Sequence, residues 1–301
     1  MSRNAWIALS ALVVVIGIAI GVLVTALGRD EAATTTDEPP VETSGFDLPL
    51  LDDPSSLAVG GHDKNLLVGI AARPGRPVEI AALRAETPVP TDELEVAVGG
   101  RPLRAEPCGR GCSRVSLPVL SGSTTELTIR NGTEAVRLNL PATMPPDGDA
   151  VFDQALQRMD SLRSYRFTER LSSGRANVVS RVEIQAPDRM RLRLPGFGSV
   201  IIGRTRWDLR NGRWERGSFP GLDVRNILMW HEAKNARVLD ESPDGTRTVA
   251  AFGLQPVPSW FRLEVEPSGL VREAEMTAAS HFMLHRYRDF DEPVRIEPPT
   301  R

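Results

Sequence analysis

The sequence predicts an N-terminal transmembrane helix, then an all-β immunoglobulin-like sandwich, then an α+β antiparallel half-barrel with covering helices. Three observations predict it. Residues 5–27 carry no charge, short apolar runs recur at even spacing through residues 55–141, and the apolar period changes from helical over 150–162 to alternating beyond it.

The uncharged run comes first. Its 23 residues at about 1.5 Å each reach roughly 35 Å, enough for a hydrocarbon core about 30 Å thick. Arg3 precedes it, while Arg29, Asp30 and Glu31 follow with a net negative sum, so the positive-inside bias keeps the N-terminus cytoplasmic. The expected placement is single-pass in the cell membrane, with the bulk extracytoplasmic. A cleaved signal peptide is the alternative, since Val24-Thr25-Ala26 offers the small residues a signal peptidase requires. Both readings export the rest. Residues 1–27 are thus an anchor or signal, and residues 28–54, with Thr34-Thr35-Thr36 and Pro39-Pro40, read as a disordered tether.

The even-spaced runs lie at 66–72, 78–83, 94–98, 115–119, 127–130 and 135–140, separated by Arg73-Pro74-Gly75, Gly99-Gly100 and Asn131-Gly132. Short strands at such spacing make residues 55–141 a sandwich. Cys108 and Cys112, in an exported chain, are expected to form a disulfide, with Gly109 and Gly111 supplying the backbone freedom of so tight a loop.

Residues 142–149 form a proline-rich linker, and a second domain occupies 150–299. Phe152, Leu156, Met159 and Leu162 recur at spacings of four and three, which predicts a helix over 150–162 with Asp149 as N-cap. Alternating runs follow at 165–171, 178–184, 190–194, 200–202 and 205–209, and Asn211-Gly212 turns the chain into Trp214. Residues 227–236 read as a second helix. Further strands are expected at 237–239, 247–252, 261–265, 271–276 and 282–287.

Charge bounds the partners. Residues 1–150 carry 12 basic and 19 acidic side chains, and residues 151–301 carry 24 and 20, so the second half has a surplus of only four positive charges. That is far from a nucleic-acid-binding stripe, and no nucleic acid partner is expected; the surplus favours at most an anionic membrane surface. Only Lys64 and Lys234 are lysines, an arginine bias that points to a G+C-rich bacterial genome.

Ordered fragments in the second half carry a resemblance. Tyr165-Arg166-Phe167-Thr168-Glu169, Ala186-Pro187-Asp188-Arg189-Met190, Ile201-Ile202-Gly203 before Trp207, Trp260-Phe261, and Met276-Thr277-Ala278 leading to His281-Phe282-Met283 and Tyr287 together resemble the outer-membrane lipoprotein carrier-like (LolA/LppX-like) periplasmic proteins. The resemblance implies a half-barrel whose concave apolar face holds acyl chains, with no catalytic residues. The N-terminal sandwich, with Cys108-Gly109-Arg110-Gly111-Cys112 before a strand, is similar to extracellular regions of bacterial copper-resistance membrane proteins, although His62 is the only histidine before His231.

Two candidate sites follow. Phe167, Trp207, Trp214, Trp230, Phe252 and Trp260 are expected to line the hydrophobic ligand-binding face, with core packing as the plain alternative for each. His281, Met283 and His285 alternate along one strand, so they share a face and form a candidate copper site of two imidazoles and a thioether; otherwise no cofactor is expected. Signatures of metalloproteases, nucleophile elbows and phosphate loops are absent from the sequence, so no enzyme is expected. The function read from the sequence is a membrane-tethered extracytoplasmic module that binds a lipid, a lipidated protein or another amphiphile. The alternatives are an accessory protein working beside a copper-transport membrane protein, and a structural scaffold without ligand.

Overall fold

The computed structural model describes residues 49–173, 177–253, 258–279 and 281–300. In chain order the first part consists of β1 (Leu57–Asp63), β2 (Leu66–Ala72), β3 (Val78–Arg84), β4 (Thr87–Pro88), β5 (Glu95–Val98), β6 (Arg101–Leu103), β7 (Ala105–Gly109), β8 (Cys112–Val115), β9 (Thr125–Asn131) and β10 (Glu134–Leu140). They form two antiparallel sheets, one in the order β1-β2-β3-β8-β7 with β4 on β3, the other β10-β9-β5-β6. One core lies between them, with Leu66, Val68, Ile70 and Ile80 of the first sheet meeting Leu127, Ile129, Val136 and Leu140 of the second. On β9 and β10 burial alternates residue by residue, as an apolar-in, polar-out pattern requires when one face meets the core and the other meets water.

β2 does not alternate. All seven of its residues are buried, because its second face is covered as well.

The second part is one eleven-stranded antiparallel sheet and one α-helix. The helix α1 (Asp149–Asp160) precedes β11 (Ser164–Ser172), β12 (Asn177–Gln185), β13 (Arg189–Leu194), β14 (Phe197–Ile202), β15 (Thr205–Arg210), β16 (Arg213–Ser218), β17 (Lys234–Glu241), β18 (Arg247–Gly253), β19 (Ser259–Val265), β20 (Val271–Ala278) and β21 (His281–Arg288). Their order is β16-β15-β14-β13-β12-β11-β21-β20-β19-β18-β17. Two meanders therefore meet at the pairing of β11 with β21, where Phe167 lies opposite Tyr287 and Glu169 opposite His285. Tight turns set the hairpins: Asn211 and Gly212 take φ of 51° and 75° between β15 and β16, the left-handed pair such a two-residue turn demands. Pro195-Gly196 closes β13 on β14 in the same compact way, with Gly196 at φ 75°.

The face of this sheet that meets α1 is called inner here. Phe152, Ala155 and Met159 of the helix pack on it at spacings of three and four. On the outer face the sandwich covers the half built from β17 to β21. Leu67, Ala71, Ala81 and Leu83 of the sandwich share a core with Phe252, Trp260 and Phe282 of the large sheet and with Ala279 just past the end of β20. Residues 249–253 of β18 are accordingly buried on both faces.

The fold class is corrected on two points. Among the described residues there are three antiparallel sheets and one α-helix, so the second part is not a helix-covered half-barrel, and the class as a whole is mainly β. The helix expected over 227–236 is a single 3-10 turn, Val224–Ile227, followed by turns and by β17 from Lys234. Asp223 accepts from the Arg225 amide at 3.1 Å and caps only that turn, and Asn235 takes a left-handed φ of 56° that ends any helical path. The single-pass placement is corrected too: no helix among the described residues is long and apolar enough to cross a membrane. The segment 5–27, which carried that expectation, and most of the expected tether lie outside the described residues.

The last part of the expected tether is structured. Leu50 and Leu51 are buried, the Leu50 amide donates to Glu79 Oε2 at 2.9 Å, and Asn235 Nδ2 donates to the Leu51 carbonyl at 2.9 Å. Asp149 does not cap α1, since Gly148 is the N-cap; its carboxylate accepts from the Ala236 amide at 2.8 Å and ties the helix start to β17.

Candidate functional site

The inner face is built by register. Phe167 pairs with Val182 and Tyr287, Val182 with Leu192, and Met190 with Ile201, so an apolar side chain recurs at each step across β21, β11, β12, β13 and β14. The other meander continues it through Met276, Phe261 and Ala251. Above this layer lie α1 and the irregular segment 219–233, which contributes Phe219, Leu222, Val224, Leu228 and Trp230. Trp230 is fully buried and meets Phe152 edge-on, with ring centroids 5.5 Å apart.

Buried polar residues interrupt the layer, Ser199 and Ser259 singly and one group as a cluster. His285, 2% exposed, sits between Glu169 and Tyr287: its Nε2 is 2.9 Å from Glu169 Oε2 and its Nδ1 3.1 Å from the Tyr287 hydroxyl. With Glu169 as a carboxylate, Nε2–H donates and Nδ1 accepts from the phenol. Ser180 donates to the other Glu169 oxygen at 3.4 Å. Burial pushes the Tyr287 hydroxyl, and likewise that of Tyr165, well above the ordinary phenol range. Each group in the cluster has a partner, which is the condition for keeping it in an apolar layer. Sequence periodicity alone marked His285 as a metal ligand and passed over Glu169, whose cross-strand position opposite His285 only the register reveals.

The six aromatics expected on one binding face separate into three groups. Phe167 lies on the inner face and Trp230 on the segment that covers it. Phe252 and Trp260 lie on the outer face, in the core shared with the sandwich. Trp207 and Trp214 are also on the outer face, half-buried beyond the sandwich; Trp214 lies over Gly198 and Trp207 faces Arg216. Register, through Val200–Trp207 and Gly198–Leu209–Trp214, is what puts these two on the same face.

His281, Met283 and His285 do share a face, as their spacing requires. Both His285 nitrogens are engaged by Glu169 and Tyr287, and His281 Nδ1 is 2.9 Å from the Ala279 carbonyl, so the three do not present a free ligand set. Among the described residues no cluster of three His, Cys, Asp or Glu side chains could hold a metal. Cys108 and Cys112 form a disulfide in the β7–β8 hairpin, with Cys112 against the shared core.

A cleft of about 350 Å³ lies where the two parts meet, lined by Gly60, Arg137, Trp260, Arg262, Glu275 and other residues. Burial raises the Glu275 carboxyl above its ordinary range there. Two more open clefts, of about 500 and 580 Å³, flank the cis Ala186-Pro187 bond at the end of the sheet near Asp223 and Asp291.

No protein-family model and no curated protein matches the chain. Solved structures that resemble it include the lipoprotein LppX of Mycobacterium tuberculosis, at 15% identity and a TM-score of 0.39, over 49% of this chain and 97% of that one. LprF from Mycobacterium bovis is 12% identical with a TM-score of 0.38, over 52% of this chain and 99% of that one. A DUF1329 family protein from Desulfovibrio piger is 10% identical with a TM-score of 0.28, over 49% and 94%. At these identities and scores, function has to be argued from this chain's own residues.

Proposed function

We propose that the chain is an extracytoplasmic binding module that holds the acyl part of a lipid, a lipidated protein or another amphiphile against the inner face of the eleven-stranded sheet. One observation carries the reading: an extended apolar layer, broken by a few buried polar groups, whose cover among the described residues is a single helix and an irregular segment, rather than a second sheet. Residues 219–233 hold themselves by a 3-10 turn and isolated bonds such as His231 N to Leu228 O and Ala233 N to Trp230 O, at 3.0 Å each. A segment with so few internal hydrogen bonds opens at lower free-energy cost than a helix or strand. Chain burial at about 0.8 kcal/mol per CH₂ gives affinity without catalytic groups. The Cys108–Cys112 disulfide supports an oxidising compartment.

The test is to purify the full chain from its native host, extract it with organic solvent, and measure lipid by mass spectrometry and metal on the same sample. Lipid at a fixed ratio to protein is the expected result, reduced in a Trp230→Ala variant whose cover is loosened. Protein free of lipid, which also fails to take up a fluorescent fatty acid, would leave the scaffold role and sink this one.

A further inference from the structure

The outer face of β11 to β16 extends beyond the sandwich, and its two ends differ. Towards the Ala186 end, the arginines serve the fold: Arg189 donates to the Ile296 carbonyl at 2.9 Å, and Arg191 to the Arg295 carbonyl at 3.0 Å and Glu183 at 2.7 Å, so the C-terminal segment is laid across them. Towards the Asn211-Gly212 end the pattern changes. Arg181 and Arg193 are direct cross-strand partners, both exposed, and neither they nor the neighbouring exposed Arg170 has an ion pair among the described residues. Like charges placed directly opposite each other destabilise a sheet unless an anion lies between them.

The same register row runs on from Arg193 through Gly198 and Leu209 to Trp214, and the row beside it through Val200 and Trp207 to Arg216. The Arg216 guanidinium lies 6.0 Å from the Trp207 ring. Val179, opposite Arg170, is 55% exposed and is the one large apolar side chain so exposed among the described residues. On the outer face of β12 to β16, Arg181, Arg189, Arg191, Arg193 and Arg216 stand against Glu183, a local surplus of four in a chain whose net charge is −3. Exposed arginines beside half-buried tryptophans and an exposed valine are the composition that settles at the headgroup level of a bilayer: the cations meet phosphate and the indoles lie at the polar–apolar boundary.

We infer that this end of the outer face, with Arg170, Arg181, Arg193 and Arg216 around Trp207 and Trp214, docks on the surface of an anionic phospholipid bilayer. It is independent of the inner-face reading, being on the opposite side of the sheet. Docking here keeps the inner face turned away from the bilayer.

The test mixes the full chain with phosphatidylglycerol/phosphatidylcholine vesicles carrying brominated acyl chains, and with brominated phosphatidylcholine alone. Tryptophan quenching is expected on the anionic vesicles and is reversed by 0.5 M salt, since screening shortens the reach of the arginines. Each arginine removed should weaken binding roughly fivefold, so Arg181→Gln/Arg193→Gln should weaken it about 25-fold with the thermal midpoint unchanged or raised. Trp207→Phe/Trp214→Phe should remove the arginine-dependent part of the quenching. Equal quenching on both vesicle types, insensitivity to the arginine pair, or binding to polyglutamate but not to anionic vesicles would each overturn the inference. Lipid content after extraction reads the inner face separately, so either proposal can fail alone.

Discussion

Gly69 and Gly60 show how single residues let the two parts meet. The Trp260 indole lies flat over β1 and β2, and a Cβ on Gly69 would stand 1.9 Å from its Cζ2, one on Gly60 2.7 Å from its Cβ. Neither position can carry a side chain without displacing the ring. Gly69→Ala is therefore expected to destabilise the protein by about 1–3 kcal/mol, as overpacking of a filled core does, which urea denaturation would read. A second residue-scale effect concerns pH. Tyr165 and Tyr287 are the two tyrosines of the chain, both buried with their ionisation pushed upward. Above about pH 10 the unfolded chain releases these protons while the folded one keeps them, so the unfolded state binds fewer protons and stability falls as pH rises. Absorbance at 295 nm should show no tyrosinate until the cooperative unfolding transition, and phenolate signal appearing well below that transition would contradict the burial.

The β7–β8 hairpin and the cover of the inner face behave differently as elements. The disulfide closes a loop of sequence separation 4, so in the chain-entropy view its reduction should cost about 2 kcal/mol, less than a long-range bridge. A thermal melt with and without reductant measures this. The helix α1 was readable from its apolar spacing because one stripe, Phe152, Ala155 and Met159, faces one layer. Residues 227–236 have a similar apolar content yet form no helix, because Trp230 and Leu228 are drawn into the core while Asn235 reaches across to Leu51. Met159→Ala should destabilise by about 2–5 kcal/mol, the range for large-to-small changes in a filled core.

The molecule as a whole is joined by the core that Phe252, Trp260 and Phe282 share with Leu67, Ala71 and Leu83, and by the stacking of His62 on Phe282 at 3.8 Å between ring centroids. A joint this apolar couples the two parts, so calorimetry should record one unfolding transition. Trp260→Ala should lower stability by about 3–5 kcal/mol and split that transition in two. Two transitions in the unaltered protein would mean the joint couples them weakly.

Alternation and turn residues determined by themselves where most strands lie, including the Asn211-Gly212 hairpin, because period two and left-handed turn residues are local properties of the chain. They also determined that His281, Met283 and His285 share a face. What only the tertiary structure decided is which layer covers each face. A buried residue reads the same whether a helix or a sandwich lies over it, so Phe167 and Trp260, both expected on one binding face, came to lie on opposite sides of one sheet. The same holds for Glu169 and His285: 116 residues separate them in the chain, and only the pairing of β11 with β21 makes them partners.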